Sequence, residues 1–143
     1  MKIRKAQAVW EGTLKEGGGT VRFGDEAFES RYSWDDRFGE GKGTNPEELL
    51  AAAHAACFSM ALSSQLTNAG SPPQRIETTA NLHFEKLEAG WTVVKIVLDT
   101  EVSAAGLEKS AFRELAEKAK TTCPISRALG AVDIELNARL AAG

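Results

Sequence analysis

Cys57 and Cys123 are the two cysteines of this 143-residue chain. They are the side chains best suited to covalent chemistry without a cofactor. Only a thiolate is a good nucleophile, and a free thiol with a pKa of about 8.5 is mostly protonated at neutral pH. Each cysteine therefore needs a nearby charge or dipole before it counts as reactive. Cys57 falls in the middle of an apolar, alanine-rich run, where a free cysteine serves equally well as a small core hydrophobe. Cys123 stands in Thr121-Thr122-Cys123-Pro124, a segment that reads as a helix start. A helix dipole there lowers a thiol pKa, so local electrostatics mark Cys123 as the more acidic of the two. Its plainer reading is a loop residue chosen for packing.

Other groups could assist a thiol. Arg37 lies in the glycine-bracketed stretch Asp35-Asp36-Arg37-Phe38-Gly39-Glu40-Gly41-Lys42-Gly43. It is either a solvated surface charge or a fixed cation able to hold a thiolate or pair with a carboxylate. Glu47 and Glu48 favour the positive end of a helix, and either could orient an arginine through a bidentate pair. His54 lies one helical turn before Cys57, which raises a Cys–His acyl-transfer dyad, although no third orienting group is evident. The two cysteines and two histidines lack the short spacings of a zinc site, so no metal is expected. Lys42-Gly43-Thr44 lacks the full phosphate-loop pattern, and no other cofactor motif is present. Trp10, Trp34 and Trp91 read as core or interface packing residues.

These residues must be positioned by strands and helices that the pattern marks out. Leu14-Lys15-Glu16 and Thr20-Val21-Arg22-Phe23 flank Gly17-Gly18-Gly19, which reads as a hairpin turn. Phe28, Ser30, Tyr32 and Trp34 share one parity, as on one face of a strand. Asn45-Pro46-Glu47-Glu48 is a helix start, with Asn45 as N-cap and Pro46 at the first helical position. That helix should run to Asn68 or Ala69 and stop at Gly70. Its middle is apolar nearly all round, so it is expected to be buried. Ile76–Leu87 and Trp91–Val102 read as strands, Lys109–Lys120 as a helix, Pro124 as the opening of a short helix ending at Gly130, and Val132–Leu140 as a half-buried strand. The grouped elements predict an α+β fold of largely antiparallel sheets around a long buried central helix. One domain covering residues 1–143 is expected, since neither a linker nor a repeat divides the chain.

Composition narrows the function classes. The formal charge is 17 − 20 = −3 with no basic block, which argues against a nucleic-acid partner. The apolar run Ala51–Leu62 is shorter than the roughly 20 residues needed to span a bilayer, and the first residues lack the apolar core of a signal peptide. A cytoplasmic protein without membrane partners is expected, with its cysteines as thiols rather than structural staples.

Gly43-Thr44-Asn45-Pro46-Glu47-Glu48-Leu49-Leu50-Ala51-Ala52-Ala53-His54-Ala55-Ala56-Cys57-Phe58-Ser59-Met60 closely resembles the first-cysteine motif of the OsmC/Ohr proteins, the osmotically inducible and organic hydroperoxide resistance family. Cys123-Pro124-Ile125-Ser126 resembles the second. Ala8-Val9-Trp10-Glu11-Gly12 and the segment from Trp34 to Phe38 also fit, closest to the OsmC branch. The resemblance implies a thiol-dependent peroxidase acting on organic hydroperoxides, and more weakly on hydrogen peroxide, in oxidative or osmotic stress defence. It implies an intertwined α+β homodimer with active sites at the subunit interface. Cys57 would be the peroxidatic cysteine and Cys123 the resolving one. Arg37 would be the activating arginine, paired with Glu47, with Glu48 only a neighbouring carboxylate. The alanines, Phe58 and Met60 would offer an apolar substrate site. The partners implied are the second subunit, an organic hydroperoxide and a dithiol reductant such as a dihydrolipoyl group. A non-catalytic dimeric module binding an apolar ligand, and Cys57–His54 acyl transfer, are the alternatives.

Overall fold

The computed structural model describes residues 1–24 and 28–141. The chain divides into two compact units, Met1–Leu49 and Leu50–Gly143. In the first, β1 (Ala6–Glu11), β2 (Gly18–Phe23) and β3 (Phe28–Tyr32) form an antiparallel sheet in the order β1-β2-β3. The turn expected at Gly17-Gly18-Gly19 lies earlier. It begins at Gly12, whose φ of 96° suits glycine, while Gly18 and Gly19 are already in β2. Gly19 faces Trp10 on one side and Tyr32 on the other. A Cβ there would come within 2.7 Å of the Tyr32 ring. Its absence lets the two rings meet across the sheet at 5.3 Å between centroids. Trp34 does not continue the face of β3. It opens the short helix α1 (Trp34–Phe38), because the Ser33 hydroxyl accepts from the Asp36 amide and turns the chain.

Helix α2 (Pro46–Asn68) starts where Asn45 caps it, its Oδ1 accepting from the Glu48 amide at 2.8 Å. It ends as the sequence predicts: Gly70 takes a φ of 87° and the Ser71 amide reaches back to the Leu66 carbonyl at 2.9 Å. Strands β4 (Arg75–Leu87) and β5 (Gly90–Ser103) form a long antiparallel hairpin. Helices α3 (Lys109–Thr122) and α4 (Pro124–Ala128) then carry the chain back, so that β6 (Asp133–Leu140) runs parallel to β5. This pair departs from the antiparallel pattern because a helical crossover, not a hairpin, joins it.

The core of the second unit lies between helices and sheet. Phe58, Leu62 and Leu66 of α2 meet Ile96, Leu98 and Val102 of β5 and Phe112, Ala116 and Ala119 of α3. The central strand β5 is the most buried, whereas β4 and β6 alternate between half-buried and exposed positions. A chain of hydroxyls runs into this core, ending on the buried Thr100: Ser59 donates to Thr78 at 2.8 Å, and Thr78 meets Thr100 at 2.9 Å.

One expectation needs correcting. α2 buries a single face, His54, Phe58, Leu62 and Leu66, at helical i+4 spacing. Ala52, Ala53, Ala56 and Met60 are exposed, Met60 at 75%. The full 23-residue helix is long and apolar enough to cross a membrane by length and composition, so the shorter run Ala51–Leu62 does not decide that question. Packing of Phe58, Leu62 and Leu66 into the protein interior makes it a core helix. Leu62→Ala should cost about 2–5 kcal/mol, because the fully buried side chain leaves a cavity. Urea denaturation of the two proteins measures the difference.

Candidate active site

The chemistry-bearing side chains form two groups, one within each unit. In the first unit, Arg37 at the end of α1 meets Glu47 in the first turn of α2. Its Nε donates to both carboxylate oxygens, at 3.0 and 3.1 Å, and its Nη2 donates to Oε1. The Glu47 side chain is mostly buried and Arg37 is about one-third exposed. This bidentate pairing fixes the plane of the guanidinium as well as its position. Glu48 points elsewhere, to the Thr44 hydroxyl at 3.4 Å.

Arg37 owes its position to the residue before it. Asp36 is buried, and its carboxylate accepts from the Ser33 hydroxyl at 2.8 Å and from the Gly43 amide at 2.7 Å. Its backbone carbonyl accepts from the Asn45 side chain at 3.1 Å. One aspartate thus closes the 36–43 loop and ties α1 to the start of α2. Gly41 and Gly43 pack directly against that carboxylate, and a Cβ on Gly43 would also come within 2.6 Å of the Arg31 carbonyl. The glycines are there for close approach. The Gly43 amide, with the Ser33 hydroxyl and the more distant Arg31, holds the Asp36 carboxyl below its ordinary value.

An apolar cavity of about 230 Å³ adjoins this pair, lined among others by Trp10, Tyr32, Trp34, Phe38 and Arg37. Trp10 and Trp34 are therefore cavity walls as well as packing residues.

The second group sits where α2 faces α4. Cys57 packs against the core cluster that contains Cys123, although the two lie far apart in sequence. Both are free; Cys57 is half-buried and Cys123 completely buried. Burial, then the neighbouring Cys123 side chain, push the Cys57 thiol up, while the Ile125 amide directed at its sulfur pulls the other way. The start of α4 thus directs an amide at Cys57, where local sequence had pointed to Cys123 as its beneficiary. The chain folds that amide across to the other sulfur. Phe58, expected to line a substrate site, faces the core and is fully buried. His54 is also fully buried, and its Nε2 meets the Ser126 hydroxyl at 2.7 Å. Burial lowers its pKa. Among the described residues, no cluster of three His, Cys, Asp or Glu side chains could hold a metal ion.

Sequence reasoning missed Asp36, the Ile125 amide and Ser126. Asp36 had a readable signal: Ser33 three residues earlier makes a capping pair with it. The other two depend on a contact between distant segments.

The α+β frame thus carries two free cysteines, Cys57 half-buried and Cys123 buried. The family model for OsmC-like proteins matches residues 39–137, and the chain belongs to that family. It is 47% identical over 129 residues to the peroxiredoxin OsmC of Escherichia coli (strain K12), covering 90% of each chain. It is 29% identical over 116 residues to the organic hydroperoxide resistance protein of Xanthomonas axonopodis pv. citri, covering 78% of this chain and 80% of the other. The crystal structure of OhrB, the organic hydroperoxide resistance protein of Bacillus subtilis, superposes with a TM-score of 0.70 at 26% identity, covering 94% of this chain and 97% of that one. An OsmC-like protein of Vibrio cholerae shares the fold, with a TM-score of 0.78 at 18% identity over 96% of this chain and 99% of the other. The chain is accordingly a peroxidase of the OsmC/Ohr peroxiredoxin family.

Asp36 makes a testable contribution to stability. Its folded pKa lies below the ordinary value of 3.8. Its stabilisation is therefore fully present above that value and is lost as pH falls through the folded one. Asp36→Asn should lower the Tm at neutral pH and flatten the acid limb of a Tm-against-pH curve. An unchanged acid limb would assign the acid sensitivity to other carboxylates.

Proposed function

We propose that this peroxidase reduces organic hydroperoxides through Cys57, with Cys123 as the resolving thiol, Arg37 as the activating cation and Glu47 as its counter-ion. The packing of a half-buried free Cys57 against the core that contains the buried free Cys123 carries the reading. Accessibility separates their roles: Cys57 is half-buried and open to a substrate, whereas Cys123 is enclosed.

The groups around Cys57 in its own unit leave its thiol raised, so thiolate formation calls for an added cation. Arg37 fills that role. Glu47 fixes its guanidinium, so a charge brought into a water-poor site remains compensated. The Cys57 thiolate attacks the outer oxygen of ROOH. An S–O bond forms, the O–O bond breaks, and the alkoxide leaves as ROH after taking a proton. The sulfenic acid on Cys57 then condenses with the Cys123 thiol to a disulfide, releasing water. An external dithiol, of which a dihydrolipoyl group is an example, restores both thiols by exchange.

The aromatic cavity beside Arg37 suits an alkyl or aryl R group. Hydrogen peroxide has no such group to place there, which accounts for a weaker reaction with it. The exposed face of α2, with Ala52, Ala53, Ala56 and Met60, suits burial against a second copy in a homodimer. A cytoplasmic setting, with its reducing thiol pools, fits an enzyme that must regain two thiols each turn.

One equivalent of cumene hydroperoxide should consume both thiols of the reduced protein and lower its intact mass by about two hydrogens per chain. Two thiols left unchanged, with hydroperoxide remaining, would overturn the proposal in favour of the ligand-binding module. Cys57→Ser should abolish sulfenate formation, and Cys123→Ser should trap a sulfenate on Cys57 that dimedone labels. Arg37→Ala should slow Cys57 oxidation on the order of tenfold to a hundredfold at neutral pH. The deficit should shrink as pH rises, because alkali then supplies the thiolate. Sedimentation equilibrium should give twice the 15.3 kDa chain mass.

A further inference from the structure

One buried polar pair near the thiols has no part in the chemistry above. His54 lies one turn before Cys57 on α2, and Ser126 lies one turn after Cys123 on α4. Their hydrogen bond, 2.7 Å between Nε2 and Oγ, therefore brackets the thiol pair and joins the same two helices. Both residues are buried, His54 completely. The other ring nitrogen, Nδ1, is buried without a hydrogen-bond partner among the described residues. A fully enclosed histidine with one nitrogen unsatisfied is costly compared with an apolar residue of similar size. An apolar side chain would fill the same space, so stability alone does not explain the polar pair.

The contact has a geometric consequence. α4 has only five residues, too short to hold its own orientation, and the chain enters it directly from α3 at Cys123. The sulfur of Cys123 must meet that of Cys57 at bonding geometry, which tolerates little displacement. A directional hydrogen bond one turn away fixes both the spacing and the roll of α4 on α2, which apolar packing alone does less strictly.

We propose that His54 and Ser126 are positioning residues that hold Cys123 in register with Cys57 for disulfide formation. This rests on the peroxidase reading for its role in turnover. After attack, the Cys57 sulfenic acid has two fates. Condensation with Cys123 forms an S–S bond, breaks the S–O bond and releases the hydroxyl with the thiol proton as water. Reaction with a second hydroperoxide instead adds an oxygen and gives sulfinic acid, which a dithiol does not reverse. The clamp favours the first fate and leaves the attack on ROOH unaffected.

The test separates this inference from the peroxidase reading, because its main arm needs no hydroperoxide. The intact protein is equilibrated in dithiothreitol redox buffers, and the Cys57–Cys123 disulfide fraction is read by alkylation and mass spectrometry. Ser126→Ala should lower the effective concentration of the thiol pair about tenfold, a shift of about 30 mV toward easier reduction. His54→Gln, which keeps an amide near the position of Nε2, should stay within about twofold of the parent. The double variant His54→Leu/Ser126→Ala removes both polar groups and the unsatisfied nitrogen with them. A positioning role leaves its equilibrium shifted; return to the parent value would show that the pair is only structural and would overturn the proposal. Ser126→Ala equilibrating like the parent, with an unchanged circular dichroism spectrum, would overturn it as well. With excess cumene hydroperoxide, Ser126→Ala should yield about ten times more Cys57 sulfinate per turnover at an unchanged rate of first thiol loss. Equal sulfinate yields would count against the clamp.

Discussion

Desolvation of Cys57 is the constraint on which the rest of the arrangement depends. A sulfur held against α4 and Cys123 gains a partner for a disulfide but loses the water that would stabilise its charge. The Ile125 amide offsets part of that loss. In the proposed mechanism the remainder comes from a positive group. Arg37 is the group proposed for it, locked in plane by Glu47 beside an apolar cavity. The rest of the first unit holds that ion pair in place. Asp36 anchors the loop, glycines give it room, and Ser33 and Asn45 cap the two helices that carry the ion pair.

Much of this was legible in the sequence. Local signals placed the second unit well. Asn45-Pro46 began α2, Gly70 ended it, and the alternation in β4 and β6 and the β-branched residues of β5 gave their boundaries to within a residue or two. These signals work because caps, breakers and burial periodicity act over a few residues. The first unit was harder. Gly18 and Gly19 look like a turn, yet they lie in β2 because Gly19 must leave space for two aromatic rings on neighbouring strands. Nothing within that segment records those neighbours. Trp34 kept the parity of a strand but was captured by a helix whose cap, Ser33, directly precedes it.

Site chemistry shows the same division. The residue types and motif pointed to Cys57, Cys123, Arg37 and Glu47, and the fold pairs Arg37 with Glu47 and packs Cys57 against the core that holds Cys123. Which sulfur receives the α4 amide was not readable, because the dipole argument assumes that a terminus acts on its own cap residue. Long-range packing directed it to Cys57 instead. The parallel pairing of β6 was missed for a related reason: grouped elements suggest hairpins, and the crossover through α3 and α4 shows only in three dimensions.

The hydroxyl chain from Ser59 through Thr78 to Thr100 has a mechanical consequence. It pins α2 to two strands at a point half a turn beyond Cys57. A roll of the helix about its own axis would strand those hydroxyls in the core and drag Phe58 and Leu62 out of it. Cys57 is thus mounted on a helix tied to two strands, while Cys123 sits at the junction of α3 with the five-residue α4.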